Sequence, residues 1–430
     1  MFSERPLRTW RSGRRPGSRW LAALALAVAL ASATSGCGAT AGGAVSGAGE
    51  LTVGTLYAGS GPFASSSLPE FAGLRLWVRR VNAAGGVWVR ALHRRQHVRL
   101  IAYNDRSSAA RAGPLYARLL SRDHVGIFVA DFGSVLTAPA ISTAQHDGVL
   151  LFDQSGTGAS FFTAGNPYIV LCDLPTSTVW PDGLARLLVA RRIGRVALVY
   201  GRNYFDASQD QTIAAALTLH GDEPVVNQGV ATGNSDYRDF MAAAAARHAS
   251  AVIELGYTSN DIAFLRQLKA SGHRFRFVFT VFAGQLPGVL RHAVGTGALA
   301  GTYSYGFPPF VQRLPPSVGL TDHGLAQALD PHFADVVGQA GATGPLNFLN
   351  IAGYNTGLVI GAALSQATTA TQLGLRAALT RLSGHLRTLD GTFRLSANGA
   401  QVGEIPAVAR LLVGRGGELV FRQVEHAGGR

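Results

Sequence analysis

Cysteine and lysine are almost missing from this chain. Only Cys37 and Cys172 occur among 430 residues, and with Cys37 near the start no disulfide is expected within the folded part, whose core must hold without covalent staples. Lys269 is the only lysine, and the remaining cations are arginines spread singly. Despite a formal charge of +13, no basic stripe is interleaved with aromatics, which excludes a nucleic-acid groove. After residue 36 no run approaches the ~20 consecutive apolar residues of a membrane-spanning helix; residues 357–364 are the best stretch, and they are short and flanked by polar positions.

Catalytic signatures are missing as well. Ser155 follows Asp153-Gln154, without the glycine that a strained nucleophile elbow needs. His93 and His97 have a metal-ligand spacing, yet they flank Arg94-Arg95 in a turn-and-strand region, where that spacing does not share a helical face. Residues 338–344 lack both the preceding strand and the glycine register of a dinucleotide loop. Cys172 is a lone thiol in apolar surroundings, expected to be buried rather than reactive. The expectation is a protein that is not an enzyme and uses no cofactor and no metal.

The N-terminus reads as a processing signal. Arg5, Arg8, Arg11, Arg14, Arg15 and Arg19 precede an apolar run over residues 20–31. Thr34-Ser35-Gly36-Cys37 then resembles the lipobox at which bacterial lipoproteins are acylated on the cysteine and cleaved, although Thr34 stands where an aliphatic residue is usual. Residues 1–36 are thus expected to be a signal peptide with Cys37 lipidated; a plain secretory signal is the alternative. Of the +13, six arginines and one glutamate before Cys37 supply +5, leaving +8 for the remaining 394 residues. That length suits two domains better than one core. Residues 37–50 are small, Gly-rich and nearly uncharged, as a flexible tether is.

From Leu51 onward short aliphatic runs alternate with helical periods. Strands are predicted over 51–56, 98–103, 126–130 and 150–152, with helices over 71–83, 106–121 and 137–145 between them. The pattern restarts with strands over 195–200, 223–229, 251–255 and 276–280 and helices over 206–220, 237–247 and 261–271. The fold class is therefore α/β, two doubly wound parallel-sheet domains. A first crossing is expected at residues 172–176, where Asp173-Leu174-Pro175 breaks the period, and a second near 301–305. Residues 51–172 and 301–389 then form an N-terminal domain and residues 173–300 and 390–430 a C-terminal one. Residues 312–344, rich in Pro, Gly and Asp, are longer than an ordinary connection and read as an insertion or lid.

Gly73-Leu74-Arg75-Leu76, leading into Val81-Asn82-Ala83-Ala84-Gly85-Gly86-Val87, resembles the first helix and closing turn of the leucine/isoleucine/valine-binding proteins, type I periplasmic solute-binding proteins of ABC transporters. Tyr103-Asn104-Asp105 resembles the Tyr-Asp-Asp ending their second strand, and Gly148-Val149-Leu150 and Val196-Ala197-Leu198-Val199 continue the register. The resemblance covers about two thirds of the mature chain and fades after Gly301. It implies the type I fold with a multi-crossing hinge, a small-molecule solute, a permease partner and an extracytoplasmic location, to which the lipobox at Cys37 adds the expected lipid anchor. A monomer engaged in amino-acid transport is the expectation; a sensor domain signalling to a receptor, or an envelope enzyme, are the alternatives.

In doubly wound sheets ligands bind beyond the carboxyl ends of strands. Here those loops carry hydroxyls and glycines: Gly59-Ser60-Gly61-Pro62, Gly133-Ser134 and Ser155-Gly156-Thr157-Gly158. Each hydroxyl has a second reading as a helix cap. By resemblance Ser134 holds an amino-acid carboxylate, Ser155 and Thr157 help hold the carboxylate and ammonium, and Tyr257, Tyr204 and Phe205 face the ligand from the second domain. The family's acidic partner for the ammonium is missing from Val281-Phe282-Ala283-Gly284-Gln285. Asp131, Asp153 or Glu254 would have to replace it, since a buried ammonium without a counter-charge is costly, and Phe282 favours an apolar ligand body.

Overall fold

The strand β1 (Glu50–Tyr57) is an eight-residue run whose interior is almost wholly buried, as expected for a central parallel strand covered on both faces. The computed structural model describes residues 45, 49–306, 347–389, 391–403, 406–417 and 419–425. The expected signal peptide, Cys37, most of the tether and the 312–344 segment lie outside the described residues.

After β1 come α1 (Ala64–Ala83), β2 (Val87–Val89), β3 (Arg94–Asn104), α2 (Ala109–Ser121), β4 (Ile127–Val129), α3 (Gly133–Asp147), β5 (Leu151–Asp153) and β6 (Ile169–Leu171). They form one sheet in the order β2-β3-β1-β4-β5-β6, parallel except for the β2–β3 hairpin. The second lobe holds α4 (Asp182–Ala190), β7 (Val196–Gly201), α5 (Tyr204–Leu219), β8 (Val226–Val230), α6 (Arg238–Ala246), β9 (Ala251–Leu255), α7 (Thr258–Ser271), β10 (Phe277–Phe279), α8 (Pro287–Val294), α9 (Thr296–Leu299) and β11 (Tyr303–Gly306). Then α10 (Phe348–Gln366), α11 (Gln372–Leu382) and the short pair β12 (Arg387–Thr388) and β13 (Gly391–Thr392) return to the first lobe, and β14 (Ala407–Val413) and β15 (Leu419–Glu425) complete the second sheet, order β15-β14-β11-β10-β9-β7-β8.

The resemblance motif at the end of α1 has a physical role. Asn82 accepts the Val98 amide at 2.8 Å and donates to the Val98 carbonyl at 2.9 Å, fixing the helix end to β3. Gly85 and Gly86 both take the left-handed conformation, which ends the helix where a side chain would be strained. The α1 and α10 helices lie backbone to backbone: a Cβ at Gly353 would stand 1.8 Å from the Glu70 carbonyl oxygen. By length and composition α10 passes the test for a membrane-crossing helix, but 78% of its apolar window is buried inside the fold. His93 and His97 are exposed, in a turn and on β3.

Two boundaries differ from the sequence reading. The sequence pattern places residues 301–306 in the N-terminal domain, yet β11 pairs with β10 and β14 in the second sheet. Aromatic packing holds it there, with Tyr303 stacked on Phe277 at 4.1 Å and Tyr305 edge-on to Phe279 at 4.9 Å. The sequence pattern places residues 391–403 in the C-terminal domain, yet Phe393 is buried in the first-lobe core and the Leu171 amide donates to the Gly399 carbonyl at 2.9 Å. The chain is therefore still in the first lobe at residues 391–403 and in the second sheet from Ala407.

Candidate functional site

In each sheet the chain reverses its direction of strand addition at one point: between β1 and β4 in the first, between β7 and β9 in the second. Loops leaving such neighbours part to opposite faces and open a crevice at the carboxyl ends. Those loops are residues 58–63 and 130–132 on one side and residues 202–203 and 256–257 on the other. The two crevices meet. Ser66, in the first turn of α1, and Thr258, in the first turn of α7, share a hydrogen bond at 2.8 Å between their hydroxyls.

The first-lobe wall is built from reciprocal hydrogen bonds. Ser155 accepts the Gly133 amide at 3.0 Å, and Ser134 accepts the Gly158 amide at 2.9 Å. Both hydroxyls thus tie one loop to another rather than cap α3, whose N-cap is Phe132 with no side-chain cap bond. Thr157 is fully buried, its carbonyl accepts both the amide and the hydroxyl of Ser177, and its own hydroxyl makes no regular hydrogen bond.

The facing wall is aromatic. Tyr257 precedes α7 and meets Phe63 edge-on at 4.9 Å and Phe132 at 5.8 Å, both from the first lobe. Phe282 lies 6.0 Å from Phe132 and from Tyr257, and Phe205 lies 5.5 Å from Tyr257 and edge-on to Trp180 at 5.1 Å. The Tyr257 hydroxyl points at the first turn of α3, beside the amides of Ser134 and Val135, where a helix N-terminus favours an electron-rich group. Tyr204 is set apart: it is 53% exposed and edge-on to Phe161 at 5.0 Å. Its helix begins two residues earlier than the sequence pattern predicted, because Asn203 accepts the amides of Phe205 and Asp206, each at 3.0 Å.

None of the three substitute acids is a free carboxylate. Asp131 accepts the Ser67 hydroxyl at 2.6 Å and the Phe132 amide at 2.7 Å, Asp153 accepts the Gly156 amide at 2.7 Å, and Glu254 accepts the Tyr237 hydroxyl at 3.2 Å. All three are buried, and burial pushes their pKa values up, that of Asp153 to about 7. Two residues escaped the sequence reading. Glu70 is completely buried beneath the site with the Ser155 hydroxyl beside it, and burial holds it well above the usual carboxylate range. Gln285 is buried in the loop after β10 with neither amide atom in a regular hydrogen bond. A lone acid inside the apolar and small-residue face of α1 was the available signal for Glu70. For Gln285 the sequence carries none. Among the described residues no cluster of His, Cys, Asp and Glu is arranged to hold a metal ion.

A crevice between two doubly wound lobes, walled by hydroxyls and aromatics, is the architecture that the sequence resemblance implies, and the family model for periplasmic binding proteins matches residues 50–411. The chain belongs to the periplasmic binding protein family. It falls among the type I, leucine/isoleucine/valine-binding-like members. The Leu/Ile/Val-binding protein of Escherichia coli is 22% identical over 229 residues, 53% of this chain and 60% of that protein, so the chain matches about three fifths of the length of such curated relatives. The Brucella abortus Leu/Ile/Val-binding protein homolog 7 is 22% identical over 65% of this chain and 70% of its own. Among solved structures, an ABC-transporter solute-binding protein from R. palustris in complex with benzoate superposes with a TM-score of 0.71 at 16% identity, covering 87% of this chain and 96% of that one. A branched-chain amino acid transporter substrate-binding protein from Streptococcus pneumoniae in complex with isoleucine gives 0.70 at 14% identity, covering 88% and 100%. These likenesses establish the type I binding-protein fold.

Proposed function

We propose that this binding protein is the extracytoplasmic solute receptor of an ABC transporter, anchored to the membrane through Cys37 and working as a monomer. It captures a small solute with a carboxylate, amide or similar polar head and an apolar body, and closure of the lobes about their crossings is the signal the permease reads. Ligand energy enters only through its preference for the closed form, so no chemistry on the solute is required.

One observation carries this reading. The turn at Gly133-Ser134, with the hydroxyls of Ser155 and Thr157 behind it, faces Phe205, Tyr257 and Phe282 across the crevice, while the loop after β10 offers Gln285 instead of an acid. Helix N-terminal amides and a serine hydroxyl suit an anionic or carbonyl head, and the aromatic wall suits an apolar remainder. Asp131, Asp153 and Glu254, biased toward their neutral forms by burial, are poor partners for an ammonium. Isoleucine and benzoate, the ligands of two structural neighbours, bracket the chemistry, with branched-chain amino acids as the family default.

A thermal-shift screen followed by calorimetry tests it, using leucine, isoleucine and valine against their deaminated acids and amides and against benzoate. The expected result is that acids without the amine bind at least as tightly as the amino acids, with a stabilisation of about 2.7 kcal/mol at a hundred times Kd. Leucine binding more strongly than its deaminated acid, with the advantage lost on changing one of the three acids to its amide, would overturn the missing-partner argument. No binding by any of them would overturn the head-group assignment.

A further inference from the structure

Beside the aromatic wall a groove of about 1140 Å³ opens between the lobes. From the first lobe it is lined by Val135, Pro139 and Ser160, from the second by Arg202, Tyr204 and Thr232. Val135 joins it to the head-group turn, since it follows Ser134 in the first turn of α3 and its amide lies beside the same Tyr257 hydroxyl. Arg202 and Tyr204 leave the carboxyl end of β7, which is one side of the second-lobe switch point.

Among the described residues Arg202 is the only charged one on the groove wall. Its main chain is held by a 2.8 Å bond from its amide to the Val230 carbonyl, while its side chain is exposed. None of the groove's described lining residues is an acid. The nearest in sequence, Asp206, is buried with Asn203 donating to it at 2.6 Å, and among the described residues no ion pair includes Arg202. The remaining wall mixes small apolar residues, hydroxyls, the amides Asn203 and Gln211, and the rings of Tyr200 and the half-exposed Tyr204. A groove with neutral walls and one planar cation on its second-lobe side is complementary to a body that ends in an acid.

We propose, on the basis of the function above, that the binding site continues into this groove and that the preferred solute is elongated and carries two carboxylates. One meets the α3 turn at Ser134; the other pairs with the Arg202 guanidinium, and the body between them lies along the Tyr204 ring. Fork-to-fork pairing of guanidinium and carboxylate supplies orientation as well as affinity.

Calorimetry on the full-length protein at low salt compares hexanoate with heptanedioate and benzoate with terephthalate. The dicarboxylate of at least one pair is expected to bind about tenfold or more tightly than its monocarboxylate, the scale of a charge-assisted hydrogen bond. In Arg202→Gln that ratio is expected to fall to near one, and Arg202→Lys to recover part of it. A ratio near one in the wild-type protein, with the monocarboxylates still binding, overturns the extension and leaves the head-group site standing. An equal ratio in wild type and Arg202→Gln also overturns it. Failure of every acid to bind overturns the head-group reading and this extension together.

Discussion

The Ser134 hydroxyl accepts the Gly158 amide at 2.9 Å, and this bond fastens the first turn of α3 to the loop after β5. Its mirror is the Gly133 amide donating to Ser155 at 3.0 Å. The pair fixes the α3 turn against the loop after β5 in the unliganded fold, which would lower the ordering cost of the proposed binding. Ser134→Ala and Thr157→Ala are each expected to weaken solute binding by roughly 0.5–3 kcal/mol, the upper part applying to a charged head. Calorimetry on the best ligand of the screen is the check, and no loss in either variant would reduce these residues to loop caps.

Gly133 has φ +71°, and a Cβ there would stand 3.1 Å from Tyr257 Cε1 and 3.3 Å from its hydroxyl oxygen. Gly133→Ala should therefore lower stability by about 1–2 kcal/mol from the left-handed backbone alone, with a further loss from displacing the tyrosine. In a Tyr257→Ala background the second part should vanish. Urea midpoints of the two single variants and the double variant measure this coupling, and strict additivity would refute the contact.

Stability should respond to pH through Asp153. Burial raises its pKa from 3.8 to about 7, so the folded state holds a proton that the unfolded state has released. Its contribution is complete below about pH 4 and is lost as pH climbs to about 7. Asp153→Asn keeps an acceptor for the Gly156 amide and cannot ionise. Relative to wild type it should gain stability steadily between pH 4 and 7 and level off above, as denaturant titrations at several pH values would read. A difference that is flat across that window would contradict the assignment.

Cys37→Ala should move the protein from the membrane fraction to a soluble one, and labelled fatty acid should enter the wild-type chain but not the variant. Absence of label from the wild type would refute the lipobox reading.

Local patterns determined much of this protein by themselves. Strand and helix alternation carries short-range information, because a buried parallel strand must be an apolar run and an Asn-Ala-Ala-Gly-Gly turn must end a helix. Hence β1, β4, β5, β7, β9 and the helices between them were legible, as was the placement of Ser134, Ser155, Thr157, Phe205, Tyr257 and Phe282 at strand ends. Tertiary structure alone decided which sheet the tail segments join. Residues 303–306 and 391–403 are short and locally ambiguous, and their partners, Phe279 and Leu171 among them, lie far away in sequence. It alone decided the state of the acids too. Asp131, Asp153 and Glu254 look like available counter-charges in the sequence, but burial that only the folded chain imposes moves them toward neutrality, against the pull of the hydrogen bonds they accept. Whether Arg202 keeps its charge unopposed depended in the same way on where the chain buried Asp206.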